Sequence, residues 1–119
     1  MPGTAKLNRR FAPMAKALLK WAKGLDGRFR FTSTFRSSTD QARLYNAWLR
    51  GDSPFPALPP GRSQHERGLA VDMARFGVPA EGDDLLREVG RAWREAGGVW
   101  GGEKDPVHFE APKALTGRK

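Results

Sequence analysis

The chain has 119 residues, enough for one compact domain with a real core and too few for two. It has no cysteine, which excludes disulfides and thiolate metal sites, so any metal must be held by His, Asp, Glu or water. Its net charge of +8 points to an anionic partner such as a polyanionic polymer, and 39% hydrophobic residues with four tryptophans exclude a disordered chain.

Leu7, Phe11, Met14, Leu18 and Trp21 recur at spacings of three and four, the apolar stripe of a first helix, with Pro13 either kinking it or marking its start. No stretch approaches a membrane span. The basic N-terminus lacks the continuous apolar segment of a signal peptide, so synthesis in the cytoplasm is the expectation. In "RFRFTSTF" the period changes to two. Phe29, Phe31, Ser33 and Phe35 are expected on one face of a strand, and Thr34 and Arg36 on the polar face. Ser38 to Gln41 reads as a capping box opening a helix over Leu44, Tyr45, Trp48 and Leu49, which Gly51 ends. "GDSPFPALPPGRS" holds four prolines and two glycines in thirteen residues and predicts a loop, either a binding loop or a plain connection.

"LAVDM" predicts a second strand with Leu69, Val71 and Met73 inward and Asp72 on the other face beside the small Gly68 and Ala70. Asp83-Asp84 open a third helix whose stripe is Leu85, Leu86, Val89, Ala92, Trp93 and Ala96, ended by Gly97-Gly98. "VWGG" and "VHFE" predict two short closing strands. Helices and strands mix without a βαβ rhythm, which predicts an α+β domain spanning 1–119.

Both histidines of the chain neighbour acidic residues in this pattern. His65 precedes the Asp72 strand, and His108 shares a strand face with Glu110. Two imidazoles and a carboxylate form a standard set for catalytic zinc. The same donors serve non-haem iron, although there the His and carboxylate usually stand two apart on one strand; here the interval is seven. Separate structural roles for the three residues remain the other reading.

"SQHERGLAVDM" resembles the S-x-H-x-x-G-x-A-x-D signature of bacterial and phage zinc peptidases that cut peptidoglycan stem peptides. This is the family of VanY/VanX-related D-Ala-D-Ala carboxypeptidases and L-alanyl-D-glutamate endopeptidases. "STFRSSTDQARLY" resembles the family's upstream block, and "VWGGEKDPVHFE" its closing W-G-G…D-x-x-H-F block; together they span roughly residues 31 to 110 in the family's order. The resemblance implies a small domain with a central antiparallel sheet flanked by helices, as in the Hedgehog/DD-peptidase fold. It implies zinc ligands His65, Asp72 and His108, a general base at Asp105, and an oxyanion-stabilising Arg36. Ser63 and Gln41 match weaker motif positions. Trp100 is a candidate cleft residue or a core tryptophan, and Glu110 a candidate support for His108. For Asp105 an Asp-Pro turn, and for Arg36 a plain surface arginine, are the competing readings.

Asp three residues before the closing His is closer to the endopeptidase branch, which makes the L-Ala–D-Glu bond the favoured substrate over D-Ala–D-Ala. The expected partners are the stem peptide and anionic cell wall, met by a monomer with no membrane span, after release from the cytoplasm as in a phage endolysin. Two other classes stay open. One is a non-catalytic, metal-dependent wall-binding module, against which an intact Asp105 argues. The other is a nucleic-acid-binding domain, against which the dispersal of the basic residues argues.

Overall fold

A computed structural model describes residues 2–118. The chain runs α1 (Ala12–Leu25), β1 (Phe29–Ser33), α2 (Ser38–Leu49), β2 (Ala70–Arg75), α3 (Asp84–Glu95), β3 (Val99–Trp100), β4 (His108–Glu110) and α4 (Lys113–Thr116). Single 3₁₀ turns at Gln64–Arg67 and Gly102–Lys104 precede β2 and β4. The strands form one antiparallel sheet in the order β1-β2-β4-β3, the mixed architecture expected from the sequence. The two terminal residues of the 1–119 span lie outside the described residues.

One sheet face is apolar. Phe29 and Phe31 of β1, Val71 and Met73 of β2 and Phe109 of β4 join Phe11, Ala15 and Leu18 of the α1 region and Leu86, Val89 and Trp93 of α3 in one core. Pro13 sits in the first turn of α1, where its missing N–H removes no hydrogen bond, so it starts the helix and does not kink it. The buried stripe of α1 is Ala15, Leu18 and Ala22. Met14 and Trp21, expected inside, are exposed: the buried face runs through Phe11, Ala15, Leu18 and Ala22 and is rotated from the predicted stripe. In α3 the stripe holds at Leu86, Val89 and Trp93, while Ala96 is the exposed C-cap. The α2 cap is Ser37, whose hydroxyl accepts from the Asp40 N–H, one residue earlier than the sequence pattern suggested.

The register explains the other face. Met73 pairs with Phe31, but Asp72 pairs with Ser33, so β1 carries a bulge that spends one extra residue. A shift of one residue reverses which side a side chain faces. The expected alternation therefore fails after Phe31: Ser33 joins the Asp72 face, and Thr34 is buried. On its other side Asp72 pairs with His108. The central strand thus holds its carboxylate directly between Ser33 and His108, on the face opposite the core.

Candidate functional site

The two histidines reach Asp72 by different routes. His108 arrives by strand pairing. His65 sits in the 3₁₀ turn Gln64–Arg67, capped by Ser63, whose hydroxyl accepts from the His65 N–H at 3.2 Å. Glu66 completes a capping box and also accepts from the Gly61 N–H at 2.9 Å and the Ser38 hydroxyl at 2.7 Å, which ties the Pro-rich loop and α2 to the turn. The backbone beyond β1 grips His65 twice. Arg36 N–H donates to its carbonyl at 3.1 Å, and its Nδ1 donates to the Thr34 carbonyl at 2.8 Å.

That second bond fixes the ring chemistry. With Nδ1 held by a backbone carbonyl, Nε2 is the nitrogen that His65 turns toward the site, 3.2 Å from Asp72 Oδ1. His108 is the mirror case. Its Nε2 donates to Glu110 Oε1 at 3.1 Å, and its Nδ1 faces the same Asp72 oxygen at 3.5 Å. One donor atom from each of His65, Asp72 and His108 lies within 4.8 Å of the other two. Ligands about 2.1 Å from a tetrahedral zinc stand roughly 3.4 Å apart, so the observed spacings suit such an ion. Each imidazole has its far nitrogen anchored by an oxygen, which is how metal-ligating histidines are normally oriented.

Charge follows the same geometry. Burial pushes the Asp72 carboxyl up, but hydrogen bonds from His108 and His65 outweigh it and hold the group ionised well below the usual carboxylate range. Burial pulls His108 down, but its bonds to Asp72 and Glu110 outweigh that and raise it to about 9. Glu110 is buried. Desolvation raises its carboxyl, yet His108 and Arg118 overcome this and keep it ionised. Arg118 Nε lies 2.5 Å from Glu110 Oε2, a partner that no sequence spacing announced.

Arg36, Gln41, Ser63 and Asp105 line a cleft of about 330 Å³ together with His65, Asp72 and His108. Arg36 donates from Nη1 to Gln41 Oε1 and from Nη2 to the Ser33 hydroxyl, both at 2.9 Å, and its Nη2 stands 3.8 Å from Asp72 Oδ2. Buried Gln41 also donates to the Leu58 carbonyl at 2.7 Å, so it fixes both the arginine and the Pro-rich loop. Asp105 stands at the exposed rim. Partial burial and the nearby Asp72 charge raise its carboxyl pKa, against opposing attraction from the histidines. Its turn folds back so closely that a Cβ on Gly101 would stand 2.2 Å from the Asp105 carbonyl oxygen; only glycine fits there.

The sequence profile of the VanY: D-alanyl-D-alanine carboxypeptidase family matches residues 4–92, well over half of the chain. The chain belongs to this VanY family. It is a peptidase of the zinc peptidase superfamily. The fold agrees. A mutant of the vancomycin-resistance D,D-pentapeptidase VanY in complex with Zn(II) is 21% identical over 88% of this chain and 72% of that chain, with a TM-score of 0.65. VanYB in complex with D-alanine-D-alanine is 20% identical over 92% of this chain and 75% of that chain, with a TM-score of 0.69. The Serratia marcescens L-Ala D-Glu endopeptidase ChiX is 25% identical over 98% of this chain and 88% of that chain, with a TM-score of 0.63. No curated protein matches the chain by sequence.

The VanY profile stops at residue 92, before Asp105 and His108. The sheet brings that last segment back, since β4 pairs with β2 through Asp72↔His108. Trp100 is a correction. It is in the core, 6% exposed, and does not line the cleft. Gly90 of α3 makes room for it, since a Cβ there would stand 2.1 Å from the indole. Its Nε1 donates to the Pro106 carbonyl at 2.8 Å, so it braces the turn that carries Asp105. Glu103, the rival carboxylate, is exposed and paired with Arg87 Nε at 2.8 Å. The sequence reading missed Thr34 and Ser33, because the bulge that aims them is invisible to a period-two pattern.

Proposed function

We propose that this chain hydrolyses an amide bond of the peptidoglycan stem peptide, with zinc held by His65 Nε2, Asp72 and His108 Nδ1, and that the bond is L-Ala–D-Glu. The observation that carries the reading is the pair of anchored imidazoles converging on one Asp72 oxygen, at 3.2 and 3.5 Å, in a cleft that also holds Asp105 and Arg36. Bound zinc supplies Lewis acidity, polarising a carbonyl oxygen and bringing the pKa of water to ~7.

The chain's own residues do the rest. Asp105 accepts the proton of the attacking water and passes it to the leaving amine as the C–N bond breaks. Its raised pKa brings it nearer to that task, because a stronger base takes the proton more readily. Arg36 is held by Ser33 and Gln41 through two of its five N–H groups, leaving others to bind the carbonyl oxygen as charge develops on it. Ser63, Gln41 and Glu110 position these groups and do not react.

Two features support L-Ala–D-Glu over D-Ala–D-Ala: the Asp-x-x-His spacing of the closing segment and the near full-length match to ChiX. The net charge of +8 would hold a monomer against anionic wall polymer, the place of action in this reading, after release as in a phage endolysin. Mass spectrometry of fragments released from purified peptidoglycan tests it. Chelator-sensitive release of peptides beginning at D-Glu is expected. Loss of terminal D-Ala alone would assign the carboxypeptidase, and no release by zinc-loaded protein would leave the wall-binding module.

A further inference from the structure

The cleft does not end at the candidate catalytic residues. Phe55, Asp105 and Val107 line it, and the same three side chains line a second groove of about 460 Å³ that continues on their far side. Phe55 is 76% exposed on the Pro-rich loop, an aromatic ring left standing between two cavities. The loop beneath it is anchored, since Gln41 holds the Leu58 carbonyl and Glu66 holds the Gly61 N–H.

The far groove is lined by charges of both signs. Arg87 and Glu103 pair with each other and so satisfy one another. Glu81 and Lys104 line the groove too, are exposed, and have no ion-pair partner among the described residues. A purely anionic group would meet Glu81 there, and a purely cationic one would meet Lys104. A group carrying both an ammonium and a carboxylate matches both.

Resting on the peptidase reading, we propose that this second groove is a substrate subsite. It holds the peptide as it runs past the scissile bond, with Phe55 packing against the chain at the crossing and Lys104 and Glu81 receiving a zwitterionic, amino-acid-like side chain or terminus. A groove open on both sides of the cutting point suits an internal bond, whereas removal of a terminal residue needs the far side closed.

Four stem-like peptides of one length test this. The distal residue carries both charges, the ammonium alone, the carboxylate alone, or neither. Wild type should show the highest kcat/KM on the doubly charged peptide, with about two- to fivefold lost for each charge removed, the size expected of exposed ion pairs. Lys104→Met should abolish the preference for the carboxylate but not for the ammonium, and Glu81→Gln the reverse. Phe55→Ala should lower the advantage of the full-length peptide over one truncated at the distal residue. Selectivity ratios unchanged in all three variants overturn the subsite. Amide chemical shifts during titration of zinc-loaded protein with the same peptides separate the two ideas. Shifts at Lys104 and Glu81 that follow the peptide charges, with no hydrolysis of any peptide, sustain the groove and refute the peptidase. Hydrolysis with no shift at either residue does the opposite.

Discussion

Glu110→Ala is the sharpest test of how His108 is held. The carboxylate is 2% exposed, accepts from His108 Nε2 at 3.1 Å and is clamped by Arg118. Removing such a partner of a metal-ligating histidine typically weakens metal binding 10- to 100-fold, or roughly 1.4–2.7 kcal/mol. A second effect opposes it. Without metal, Glu110 helps to raise His108 to about 9, so below that pH zinc must displace a proton from Nδ1. At pH 7 that proton handicaps the wild type by about two pH units, roughly 100-fold. The variant loses part of this handicap, because Asp72 alone raises His108 less. At pH 9 the proton is about half gone and costs only about twofold, so the loss of orientation dominates. Zinc affinity measured by chelator competition should therefore fall 10- to 100-fold in Glu110→Ala at pH 9, and by clearly less at pH 7. Glu110→Gln keeps an acceptor oxygen and should fall in between, and thermal unfolding confirms that each variant is folded. An equal loss at both pH values, or none at pH 9, would refute this account of His108.

Asp105→Ala and Arg36→Ala should keep zinc while stem-peptide turnover falls about 10²–10⁴-fold and 10²–10³-fold; Glu103→Ala turning over as poorly as either, with Asp105→Ala active, would move the base to Glu103. Arg75 bridges Asp83 at 2.6 Å and Asp26 at 3.0 Å, and its hydrogen bonds hold the Asp83 carboxyl low against the rise that burial causes. That stability is present above the unfolded carboxyl pKa of about 4 and is lost as pH falls below it, so Arg75→Met should flatten the drop in Tm between pH 5 and pH 3. Wall lysis should weaken steeply as salt rises past 0.1 M while hydrolysis of a small soluble peptide barely changes; equal sensitivity would mean that the basic surface does not act through wall attachment.

The sequence named the residues that converge on the cleft, but it gave the aim of only some of them. Alternation placed Asp72 on the face opposite Val71 and Met73, and that held because β2 is regular on both sides of it. The same rule misplaced Thr34, because it counts residues and cannot see a bulge. Trp100 was undecidable in the string; the gap that draws it inward is Gly90, ten residues earlier on another element. Arg118 lies eight residues beyond Glu110 and past the last short helix, with no periodic relation to it, so only the folded chain shows that it locks Glu110.

A carboxylate in the middle of a core-forming strand needs a physical reason, since an unpaired buried charge is strongly destabilising. Asp72 has two imidazoles on one oxygen and Arg36 near the other, and without a metal the raised His108 supplies the compensating proton. That proton sits on the nitrogen that a metal would use. In the metal-free state the Asp72 charge is therefore compensated through the same atoms that are proposed to hold the ion, and in that reading metal exchanges for a proton at a site whose frame is already set. What sets the frame is not the three ligands. It is the Thr34 carbonyl behind His65, Glu110 behind His108, and the strand register behind Asp72. Each lies one step from the chemistry, and the bulge after Phe31 aligns β1 so that Ser33, and through it Arg36, faces the same carboxylate.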